Sequence, residues 1–98
     1  MTRRQIAEEL LEYDIIKNNL YPFTWLSGSS TIMYPCRVWK TNVEFQIKND
    51  DDIYEDFIKM VVEKYKDYID WGVFIKGCST TCPPVLSFNF KENFIDGE

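Results

Sequence analysis

The chain contains no histidine. Histidine is the side chain whose ordinary pKa lies nearest neutrality, so the commonest general base and metal ligand is missing. Ser-His-Asp and Cys-His catalytic arrangements cannot be assembled from these 98 residues. Three cysteines, an odd number, do not frame a disulfide scaffold, and they fall short of the four Cys or His ligands that a structural zinc takes. Bases are scarce as well: 11 lysines and arginines face 16 acids, for a net charge of −5. Neutralising phosphates needs a basic face, so direct nucleic-acid binding is disfavoured. No apolar run approaches the ~20 residues that cross a bilayer. The opening residues, MTRRQIAEE, place acids where a secretory leader would be apolar. A cytoplasmic protein with reduced thiols, no membrane attachment and no cofactor is expected.

What the chain does have is bulk for a core. Hydrophobic residues make up 45% and aromatics 16%, well above a disordered composition. A single α+β domain over 1–98 is expected, with a frayed tail at 93–98. Thr2 with Gln5 three residues on has the capping-box spacing. Ile6, Leu10 and Tyr13, with Leu11 and Ile15 alongside, recur at helical intervals, which predicts a helix over 3–18. The Tyr21-Pro22 step then forces extended backbone. From Thr31 the period changes to two: Ile32, Tyr34, Cys36 and Val38 share one face, and Val43, Phe45 and Ile47 alternate with Glu44, Gln46 and Lys48. A turn at Thr41-Asn42 would set Val38 against Phe45 and Cys36 against Ile47. Pro35 cannot donate to a ladder, which assigns the first of these strands to an edge or a bulge.

Ile53, Phe57, Val61, Tyr65 and Ile69 run at spacing four, with Tyr54, Ile58 and Val62 widening the stripe, and predict a helix over 52–70 lying across a sheet. Trp71-Gly72 would break it. Two further strands are expected, at 73–76 and at 85–90, where Leu86, Phe88 and Phe90 alternate with Ser87 and Asn89. The whole is a two-layer sandwich in α-β-β-α-β-β order. It has a mainly antiparallel four-stranded sheet, two helices on one face, and a core centred on Phe45, Phe57, Val61, Leu86 and Phe88.

Each chemistry-like stretch competes with a structural explanation. Cys78 and Cys82 have three residues between them, not the two of a redox motif, and read as two thiols of one loop. Ser27-Gly28-Ser29-Ser30-Thr31 has the glycine of a phosphate cradle but neither the lysine nor the following helix, and reads as a flexible connection. It is the basis of a small-ligand or nucleotide-binding alternative. Asp50, Asp51, Asp52, Glu55 and Asp56 lack the glycine and ligand alternation of a calcium loop. They complement a helix N-terminus and also form an acidic docking patch. Glu8, Glu9, Glu12 and Asp14 give a second acidic cluster. Among the aromatics near element ends, Trp25 and Trp39 are the candidate contact residues, since tryptophan is enriched at binding hot spots.

In size, acidity and lack of catalytic groups the chain resembles small phage- or plasmid-encoded inhibitors of host defence, such as anti-CRISPR proteins. The likeness is one of general character and carries no residue with it. It implies a non-enzymatic protein-binding module whose acidic surface occupies a basic surface of a nucleic-acid-binding protein. Toxin-immunity proteins and antitoxins share the same character.

Overall fold

The computed structural model describes residues 1–20, 36–48, 53–77 and 84–94. Thr2 opens the first helix, α1 (Arg3–Leu11), through the expected capping box. The Gln5 N–H donates to Thr2 Oγ1 at 3.0 Å, and the Thr2 N–H donates to Gln5 Oε1 at 2.7 Å. The helix does not run to residue 18 as its periodicity predicts. It stops at Glu12, Tyr13 adopts extended backbone, and a four-residue helix, α2 (Asp14–Lys17), follows. That break lets Tyr13 set its ring edge-on to Phe57, 5.4 Å away, while Ile16 is buried.

Strands β1 (Cys36–Val38) and β2 (Asn42–Gln46) form the expected hairpin, but two residues out of the predicted register. Val38 faces Val43 and Cys36 faces Phe45. The turn falls at Lys40-Thr41, closed by the Trp39 N–H donating to the Asn42 carbonyl at 2.7 Å. An even slip preserves which face each side chain occupies, so the apolar set is unchanged. β1 lies at a sheet edge, as Pro35 suggested; Pro35, Ile32 and Tyr34 lie outside the described residues.

The third helix, α3 (Tyr54–Lys64), is shorter than predicted at its C-terminal end. Tyr65 leaves the helical region (φ −108°, ψ 32°), and its carbonyl accepts from the N–H groups of Tyr68 and Ile69. Ile69 is buried because it has entered a strand, β3 (Ile69–Ile75), opposite Phe90. Trp71 and Gly72 are therefore members of this strand and do not break a helix. The last strand, β4 (Val85–Phe90), has the predicted bounds. The sheet order is β1-β2-β4-β3 with every ladder antiparallel.

The registers place Val43, Phe45, Leu86, Phe88, Gly72 and Phe74 on one face. α1 and α3 cover that face. Phe57 meets Phe88 at 6.3 Å, Tyr54 stacks on Phe74 at 4.8 Å, and all five predicted core residues are buried. Ile53, expected in the buried stripe, is instead 47% exposed; Tyr54 takes the inward position beside Phe57 and Val61. Phe94, assigned by the sequence to a frayed tail, is buried against Phe90 and Tyr68, with the Arg3 guanidinium 4.5 Å over its ring.

Candidate functional site

Helix α3 turns two different faces outward and inward. At 100° per residue, Tyr54, Phe57, Val61 and Tyr65 point to the sheet, Asp56, Lys59 and Glu63 point away from it, and Ile53 and Met60 lie on one flank, about 90–100° from the buried direction. Ile53 and Met60 are 47% and 37% exposed; Asp56 is exposed between them and Glu63 one turn beyond. The result is an outward surface on which apolar and acidic side chains alternate along one flank, with exposed Lys59 beside them. Glu55 is exposed beside it and lines a groove of about 410 Å³ between α3 and β3, together with Tyr54, Ile58, Lys59 and Gly72.

Next to this stripe, α1 adds exposed Glu8, Glu9 and Glu12, and α2 adds Asp14. The two helical units are locked together at their C-terminal ends by a small polar cluster. The Tyr65 hydroxyl donates to Glu9 Oε1 at 2.6 Å, and Lys64 Nζ donates to the Tyr13 hydroxyl at 2.7 Å. Burial, and then the bond to Glu9, push the Tyr65 phenol above the usual tyrosine range. The bond to Tyr13 raises the Lys64 ammonium. Arg4 is drawn to Glu8 at 3.4 Å and Lys64 to Tyr13, so two of the cations in this layer are engaged locally.

Trp39 is elsewhere. It is half exposed at the turn end of β1, in a cross-sheet row with Asn42, Asn89 and Trp71 that faces away from the helices. Glu55 and Asp56 lie over the Phe74 end of β3, at the other edge and the other end of the sheet. The fold brings Trp39 into line with Trp71. It sets Glu55 in the α3–β3 groove, while Glu9 and Glu12 of α1 sit beside Tyr13, Lys64 and Tyr65 at the C-terminal end of α3, so the candidate residues fall in separate sets. Asp50, Asp51, Asp52 and Trp25 lie outside the described residues, as do Cys78, Cys82 and the 27–31 stretch. Met60 was missed from sequence, although its i,i+7 relation to Ile53, off the buried stripe, is the signal that finds it.

Burial pushes the Cys36 thiol up to about 12, so at neutral pH it is a thiol and not a nucleophilic thiolate. Among the described residues no group of three or more Cys, Asp or Glu side chains is placed to hold a metal ion. No helix there is long and apolar enough to cross a membrane. Comparison with known proteins finds no match among protein-family models, curated proteins or solved structures.

Proposed function

We propose that this chain is a non-enzymatic protein-binding module, an inhibitor of the anti-defence type. In this reading its acidic helix layer occupies a basic surface of a nucleic-acid-binding protein. The observation that supports it is the α3 stripe of Ile53, Asp56, Met60 and Glu63, flanked by Glu55 and the α1 acids. Carboxylates steer the approach to a Lys- and Arg-lined groove and mimic the charge of its nucleic-acid ligand. Exposed Ile53 and Met60 supply the apolar contact that makes a salt-sensitive encounter last. Asp50, Asp51 and Asp52 precede this stripe in the chain. Trp39 is a contact residue of the same protein-binding function on a separate part of the surface.

The test is inhibition of purified RNA-guided nucleases, with basic nuclease toxins as a second panel. Cleavage should be suppressed in proportion to added chain, and the effect should fade as ionic strength rises. Suppression that is indifferent to E55Q/D56N/E63Q would remove the acidic surface from the account.

A further inference from the structure

Strand β3 forms an edge of the sheet, and no strand pairs with its outer side among the described residues. Exposed edges of this kind are templates for another chain, and natural proteins commonly blunt them with charge, proline or bulges. β3 carries a bulge at Asp70, where the register shifts between Ile69 and Trp71, but from Trp71 to Ile75 it is regular. Its outward-facing side chains there are apolar: Trp71 and Ile75 are about half exposed and Val73 is partly buried between them. The flanking charges have opposite sign, exposed Asp70 before the regular run and exposed Lys76 after it.

The geometry points to a second copy of this chain as the occupant of that edge, pairing β3 with β3 antiparallel about a two-fold axis at Val73. In that register Val73 meets its own copy and Trp71 faces Ile75, an apolar strip across the junction. Asp70 faces Lys76 twice over. Charges of one sign at both ends would repel a copy in this register; opposite signs close it and select it against slipped pairings. The axis also sets the two α3–β3 grooves against each other. Glu55 and Lys59, which both line the groove, then meet their copies in reversed order. An isologous interface requires such self-complementarity, and the product is one eight-stranded sheet with the acidic helix layers on one side. The outward α3 stripe stays free, and of the proposed inhibitory surface only Glu55 lies at the junction.

Sedimentation of the full chain over a concentration series tests this with charge swaps. The wild type should dimerise. Asp70→Lys or Lys76→Asp alone should weaken the dimer about tenfold, because each creates like-charge pairs at both ends. Asp70→Lys with Lys76→Asp should restore it. Val73→Lys, which puts two ammonium groups on the axis, should give a monomer with an unchanged circular dichroism spectrum. A chain that is monomeric throughout, or a dimer whose single and double swaps behave alike, overturns the proposal.

Discussion

Replacing Gly72 with alanine probes how closely α3 is seated on the sheet. A Cβ at this position would lie 2.7 Å from Phe88 Cδ1, 2.9 Å from Cε1 and 3.0 Å from Ile58 Cγ2. Gly72 is in an extended strand, so space is what the glycine supplies. The Phe88 ring is fully buried and is held edge-on by Phe45 and Phe57 at 6.4 and 6.3 Å, so it cannot swing away without displacing them. Forcing a methyl into such packing costs about 1–3 kcal/mol. Restricting the unfolded chain returns about 0.4–1 kcal/mol. The net expectation is a loss of about 1–2 kcal/mol, which lowers the urea midpoint by about 0.5–1.5 M at unchanged slope. Equilibrium unfolding followed by tryptophan fluorescence and by circular dichroism reads this out. Phe88→Leu in the same background should recover about 1 kcal/mol relative to the sum of the single changes. A Gly72→Ala protein as stable as the parent, or strict additivity with Phe88→Leu, would refute the packing argument.

Tyr65→Phe removes the hydroxyl bonded to Glu9 and should cost about 1–1.5 kcal/mol in chemical denaturation. Because the folded-state pKa of Tyr65 is raised above its unfolded value of about 10, its contribution is fully present below pH 10 and is lost as pH rises beyond it. The stability of the wild type should therefore fall more steeply above pH 10 than that of the Phe variant. Cys36 follows the same sign from a lower start: its contribution is complete below its unfolded value near 8.5 and is lost as pH climbs toward about 12. With Cys78 and Cys82 changed to serine, iodoacetamide at pH 8 should label Cys36 at least about tenfold more slowly in the folded protein than in urea. Thr2→Ala breaks the capping box and should cost about 0.5–2 kcal/mol, measured by thermal or urea unfolding.

Where local chemistry and tertiary packing agreed, the residues told the structure in advance. The Thr2–Gln5 box, the alternation of β4 and the buried run of Phe57 and Val61 are of that kind. Where one pattern has two solutions, the periodicity misled. Ile69 sits four residues after Tyr65 and so extends a helical stripe, yet its burial comes from pairing with Phe90 in a strand. Trp71-Gly72 resembles helix punctuation, but Gly72 is needed for close packing under Ile58 and Phe88, a requirement set by residues far away in the chain. The hairpin register slipped by two because either register buries the same apolar face, and the Trp39–Asn42 hydrogen bond chose between them. Glu55 and Asp56, singled out by charge clustering, are exposed on α3. The seating of α1 against α3 rests on the Tyr65–Glu9 and Lys64–Tyr13 bonds, which span more than 50 residues and leave no local trace.

The proposed contact is between the acidic, apolar-dotted face of α3 and a basic partner. The most direct measurement is the dissociation constant for an inhibited RNA-guided nuclease, taken across a salt series with the wild type, with D56N/E63Q and with Met60→Ala. Tight, salt-sensitive binding is expected of the wild type, with a flatter salt dependence for D56N/E63Q. Met60→Ala should lose at least about tenfold in affinity at every salt concentration, the signature of an apolar hot spot. Equal affinities and equal salt slopes for all three proteins would contradict it.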